Sequence, residues 1–142
     1  ATAIIAGSDV QTREKVRLYG YEIGMAFQII DDILDFTSQT EKLGKPVASD
    51  LRQGLITLPA LYHIESFPSD QDLASVIEHD PCDEECRTRL LIAIRESGSI
   101  EKALDEVDQH IERALSALSG LRDCTERTAL EDLARYIVRR NV

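Results

Sequence analysis

The chain has 142 residues, with 16 Lys and Arg against 26 Asp and Glu, for a formal net charge of −10. That is one domain's worth of chain, enough to bury a core without disulfide or metal staples. At 43% hydrophobic and 30% charged residues it is too apolar for a disordered chain and too charged for a membrane span.

Apolar runs fall far short of the roughly 20 residues a bilayer demands, and no basic-then-apolar signal segment opens the sequence. A soluble, cytoplasmic protein is expected. A strongly acidic surface repels phosphate backbones and anionic lipid, and with no Trp and 5% aromatics there is little to stack on bases, so nucleic acid is not an expected partner. Phosphates remain accessible to such a surface if a divalent cation bridges the two.

Helical periodicity dominates the whole chain, predicting an all-α helical bundle in one domain over 1–142. After a short Ala and Ile tail, Gly7 and Ser8 precede Asp9, an N-cap for a long helix to about Phe36. Thr37 to Ser49, with Gly44, Lys45 and Pro46, reads as a loop. Ser49 or Asp50 then caps a helix to about Ser66, which Pro59 kinks or splits. Further helices are expected from Ser69 or Asp70 to about His79, from Asp83 to near Gly98, and from Ile100 to Leu118 behind Ser99. The last runs to about Arg140, opened by a capping box of Asp123 and Glu126.

Three cysteines, Cys82, Cys86 and Cys124, cannot all pair within one chain, and reduced thiols are expected. His79, Cys82 and Cys86 lack the CxxC knuckle spacing of structural zinc sites.

The chemistry sits on the first long helix. With Gln28 at 0° on a wheel, Asp31 falls at about −60°, Asp32 at about 40°, Asp35 at about −20° and Gly24 at about −40°. The strongly polar side chains are thus expected on one narrow arc. Met25, Ala26, Phe27, Ile29, Ile30, Ile33, Leu34 and Phe36 make the rest apolar, so the helix is expected to be buried on nearly every side, its carboxylates facing a cavity. Like charges this close raise one another's pKa unless a cation intervenes, and oxygen-only ligands suit a hard ion such as Mg²⁺. Gly20 and Gly24 leave room for a ligand beside the helix. A solvated acidic face is the competing reading.

The run from Gly24 to Phe36 resembles the second aspartate-rich motif of the trans-isoprenyl diphosphate synthases. The continuation Gly44, Lys45, Pro46, Ser49, Asp50, Leu51, Gly54, Thr57, Leu58, Pro59 is similar to the GKxxxxDLxxGxxTLP pattern that follows it there. The resemblance is strong from Tyr21 to Tyr62 and rests on helical pattern beyond. It implies the isoprenoid synthase fold and a prenyltransferase that condenses an allylic diphosphate with isopentenyl diphosphate: Mg²⁺ aids departure of the diphosphate, the isopentenyl double bond attacks the allylic cation, and a proton is lost.

By the same resemblance Asp31 is a direct metal ligand, with Asp32 and Asp35 as ligands or supports behind it. Lys45 contacts the allylic diphosphate, and Phe27 and Gln28 line the region where the two substrates meet. Taken alone, Lys45 reads as a loop lysine, Asp50 as a helix cap, and Arg139 with Arg140 as a basic helix end.

The family's first aspartate-rich motif is absent, and Leu55 stands where many members place a second diphosphate-binding lysine. The chain is therefore expected to be the C-terminal half of a synthase, incomplete alone and working as a homo-oligomer or with a heteromeric partner. A noncatalytic partner subunit or interaction module is the alternative, and a terpene cyclase fits the motifs less well.

Overall fold

The computed structural model describes residues 2–38, 48–77 and 83–139. They form α1 (Thr2–Ile5), α2 (Val10–Thr37), α3 (Ser49–Arg52), α4 (Leu58–Ser66), α5 (Gln71–Ile77), α6 (Glu84–Glu96), α7 (Ser99–Ser119) and α8 (Thr125–Arg139), with no strand among the described residues. None of these helices is long and apolar enough to cross a membrane. The chain divides into two compact units, one of residues 1–30 with 106–142 and one of residues 31–105. The backbone of α2 runs through both.

In the first unit Asp9 opens α2 as its N-cap, accepting the Thr12 N–H at 2.8 Å and the Thr12 hydroxyl at 2.9 Å. Tyr19, Ala26, Ile29 and Ile30 of α2 are buried, as are Ile111, Ala114 and Leu118 of α7 and Ala134 and Ile137 of α8. The Tyr19 hydroxyl donates to the Leu130 carbonyl at 2.8 Å, tying α2 to α8. The capping box expected at Asp123 and Glu126 does not form. The helix opens one residue later, with the Thr128 N–H on the Cys124 carbonyl.

The second unit packs Phe36, Ala48, Leu51, Ala60, Leu73, Val76, Leu90 and Ile94 into one apolar cluster. Pro59 splits the helix expected from Asp50 to Ser66. The first piece ends at Gly54, whose φ of 74° suits a residue without Cβ, and Pro59 enters α4 in its first turn, where a missing N–H leaves no bond unmade. Asp70 caps α5 by accepting the Leu73 N–H at 3.0 Å, and its other oxygen lies 3.0 Å from the buried His63 Nε2. Asp83 caps α6 through the Cys86 N–H at 2.8 Å, and Gly98, with φ 77°, ends the turn behind it as its composition predicts.

Cys86 is disulfide-bonded, which corrects the expectation of three reduced thiols; Cys124 is free and exposed. His79 and Cys82 lie outside the described residues.

Candidate active site

The acidic strip is built by α2 and by what its carboxylates hold. Asp31 is exposed, while Asp32 and Asp35 are half-buried. One Asp35 oxygen accepts the Ser49 N–H at 3.0 Å and the Ser49 hydroxyl at 2.9 Å; the other accepts the Asp50 N–H at 3.0 Å. The Asp35 carbonyl also takes the Ala48 N–H at 2.9 Å, so this one residue fastens the start of α3 to the end of α2. The Asp32 carboxyl lies near the backbone N–H of Leu58, the first residue of α4. Burial pushes the Asp32 carboxyl above its ordinary range, the Leu58 N–H opposes that, and the charges of Asp50, Asp31 and Asp35 add to the rise.

On the flank of α2 in the first unit lies a groove of about 430 Å³ lined by Gly20, Gly24, Phe27 and Gln28 together with Leu133 and Tyr136 of α8. A Cβ added at Gly20 or Gly24 would meet nothing within 4 Å, so both glycines face open space as expected. Burial on nearly every side is not what the helix has: Tyr21 is 55% exposed and Phe27 40% exposed. Ala26, Ile29, Ile30, Ile33 and Phe36 are buried as expected, whereas Phe27 forms part of the wall of the open groove.

Among the described residues no three His, Cys, Asp or Glu converge on a metal position. The donors available from α2 are carboxylate oxygens only, which fits a hard cation completed by phosphate oxygens and water. Lys45, Gly44, Pro46 and Arg140 lie outside the described residues, as does the side chain of Arg139.

The expectation that the polar side chains of α2 share one arc fails at Glu22. It is 5% exposed, with one oxygen 2.6 Å from His110 Nδ1 and 2.9 Å from Arg113 Nε. At 2.6 Å from a carboxylate, Nδ1 carries the proton and donates, so the Arg113 Nη2 that lies 3.0 Å from Nδ1 is a neighbour rather than a donor to it. Burial pushes the Glu22 carboxyl up, but the bonds and charges of Arg113 and His110 outweigh it and hold the group below its ordinary value. The signal available in sequence was a charged residue standing alone between Gly20 and Gln28.

Comparison with known proteins follows the same lines. The family model described as Polyprenyl synthetase matches residues 1–93. The chain is 36% identical over 138 residues to heptaprenyl diphosphate synthase component 2 of Bacillus subtilis (strain 168), covering 97% of this chain and 39% of that protein. It is likewise 36% identical to solanesyl diphosphate synthase 2, chloroplastic, of Arabidopsis thaliana, covering 97% of this chain and 32% of the relative. Among solved structures, the polyprenyl synthase of Caulobacter crescentus CB15 complexed with calcium and isoprenyl diphosphate superposes with a TM-score of 0.85 at 35% identity, over 99% of this chain and 43% of that one. The chain thus spans well under half the length of the relatives it matches. In sequence and in all-helical fold, it belongs to the polyprenyl synthetase family.

Proposed function

We propose that this chain forms the second aspartate-rich wall of a polyprenyl diphosphate synthase, which joins an allylic diphosphate to isopentenyl diphosphate with the aid of Mg²⁺. The observation that carries the reading is Asp32, half-buried and raised in pKa with Asp50, Asp31 and Asp35 as like-charged neighbours. Such a strip is destabilised by its own charge, and a hard cation with phosphate oxygens relieves it. The calcium and isoprenyl diphosphate of the Caulobacter crescentus relative support a divalent ion in this family; few carboxylates with substrate phosphates favour magnesium.

When bound, the metal offsets the negative charge of the departing diphosphate. Asp31, exposed on the strip, is the direct ligand, and Asp32 joins it. Both oxygens of Asp35 are engaged by the start of α3, which favours its role as support over ligation. Lys45 contacts the allylic diphosphate as a point charge. Phe27 and Gln28 bound the region where the two substrates meet, in keeping with the apolar groove they line, and exclude water from the allylic centre.

A single acidic wall is a poor catalyst, so the other wall comes from an N-terminal half or from a partner subunit. The relatives named component 2 in Bacillus subtilis and Geobacillus stearothermophilus favour a multi-chain enzyme, and a cytoplasmic one agrees with the sequence. The test joins the unmatched remainder of the Bacillus subtilis relative to this chain and measures Mg²⁺-dependent condensation. The chimera is expected to be active and the chain alone nearly inactive, while Asp31→Ala in the chimera loses activity by about a hundredfold or more. Full activity with Asp31→Ala would replace this reading with that of a noncatalytic module.

A further inference from the structure

Gly20 stands in the wall of two grooves at once. One is the groove of about 430 Å³ between α2 and α8; the other, of about 450 Å³, lies along the first turns of α2 and is lined by Ala3 and Ile4 of α1 with Val10 and Val16 of α2. Both lie wholly within the unit of residues 1–30 and 106–142, and both have the unbroken helix α2 as a wall. We infer that the two grooves together hold one isoprenoid chain, running from Phe27 toward the N-terminus of α2, and that Gly20 determines product length because its missing side chain is what joins them. The inference rests on the proposed prenyl transfer, whose substrates meet at Phe27 and Gln28.

The lining suits a hydrocarbon. The described lining of the first groove holds no charged side chain. Leu133 and Tyr136 beside it, and Ile4 and Val10 beside the second, are exposed, and a branched apolar chain laid over them takes that surface out of water. Arg13, Glu14 and Arg17 also line the second groove, but their charged ends are engaged. Arg17 Nη2 lies 2.6 Å from Glu14 Oε1, and Arg13 Nε donates to the Ser8 carbonyl at 2.7 Å, which leaves the aliphatic stems as wall. Distance along the path is set by the helix. Gly24 lies about one turn from Phe27, Gly20 about two turns, and Val10 about 25 Å. A chain that lengthens by one isoprene unit per step therefore passes Gly24, then Gly20, before it enters the second groove. A Cβ at Gly20 would meet nothing within 4 Å, so the space there is open to a ligand, and a large side chain would stand in the passage.

The test measures product length in the chimera supplied with excess isopentenyl diphosphate. Gly20→Phe is expected to shorten the longest product by about one isoprene unit or more and Gly20→Ala by less. Leu18→Phe, at a position that lines neither groove, is expected to leave it as in the parent. If Gly20→Phe does not fold, Val16→Phe, which fills the second groove from within, is read in the same way. An unchanged product in the folded variant, or equal shortening by Leu18→Phe, overturns the inference. A second arm titrates all-trans-geranylgeraniol, which carries no phosphate, into this chain and follows the methyl NMR signals of Leu133 in the first groove and Ile4 in the second. Both are expected to shift with a common midpoint, and Ile4 is expected to stop following Leu133 in Gly20→Phe. If the chimera makes no product while both signals shift together, the prenyl-transfer reading fails and the joined groove stands. If the chimera is active and the Ile4 signal of the parent chain does not move, the joined groove fails.

Discussion

Asp32 of α2 lies near the backbone N–H of Leu58 at the head of α4. Burial and neighbouring carboxylates raise the pKa of this carboxylate, while the Leu58 N–H lowers it. Since the folded-state value lies above the ordinary 3.8, ionisation at neutral pH works against folding. Asp32→Asn retains an acceptor for Leu58 and removes the charge. It is expected to stabilise the chain by about 0.5 kcal/mol, read as a higher urea midpoint at pH 7, and to weaken divalent metal binding.

Glu22 behaves in the opposite sense. Its folded-state value lies below the ordinary 4.5, so its stabilisation is complete above that value and is lost as pH falls through the lower one. Urea midpoints measured from about pH 6 down to pH 3 are expected to fall more steeply below about pH 4.5 for the parent chain than for Glu22→Gln. Parallel curves would mean that the bonds to His110 and Arg113 do not persist in solution.

Ala48 has φ 55° and ψ 44°, a left-handed conformation in a residue only 3% exposed. Ala48→Gly relieves strain of about 1 kcal/mol and loses a buried methyl worth a similar amount, so thermal unfolding is expected to shift little. Ala48→Val places a branched side chain in that conformation within the Phe36 cluster. It is expected to cost about 2 kcal/mol or more, seen as a lower midpoint in thermal or urea unfolding.

Gly24 sits in α2 with open space where a Cβ would stand. Gly24→Ala therefore gains helix propensity without a clash, about 0.5–1 kcal/mol of stability by urea titration. In the active chimera the same change is expected to raise the KM for substrate, because the methyl enters the groove lined by Phe27 and Gln28. A more stable variant with unchanged KM would remove the groove from the substrate path.

What could be read from sequence was the chemistry that acts over a few residues. Asp9 caps α2 and Gly98 ends the turn after α6 because both effects are local. The arc of Asp31, Asp32 and Asp35 is likewise a matter of helical spacing. Their different employments are not, since Asp35 reaches the start of α3 and Asp32 the start of α4, partners that a wheel cannot contain. Glu22 and His110 are 88 residues apart, so only the packing of α7 against α2 reveals why an acid stands in a greasy stretch. At α8 the helix starts at Thr125, so Cys124 rather than Asp123 precedes its first residue, a one-residue choice of start that residue types alone do not decide.

Metal binding by the α2 carboxylates can be measured directly by titrating Mn²⁺ into the chimera with inorganic diphosphate and following the free-ion signal by electron paramagnetic resonance. Saturable binding is expected, together with an affinity lower by about tenfold or more when Asp31→Asn and Asp32→Asn are combined, the fold intact by circular dichroism. Equal affinity in the parent and the folded double variant would contradict the proposal that these carboxylates hold the metal.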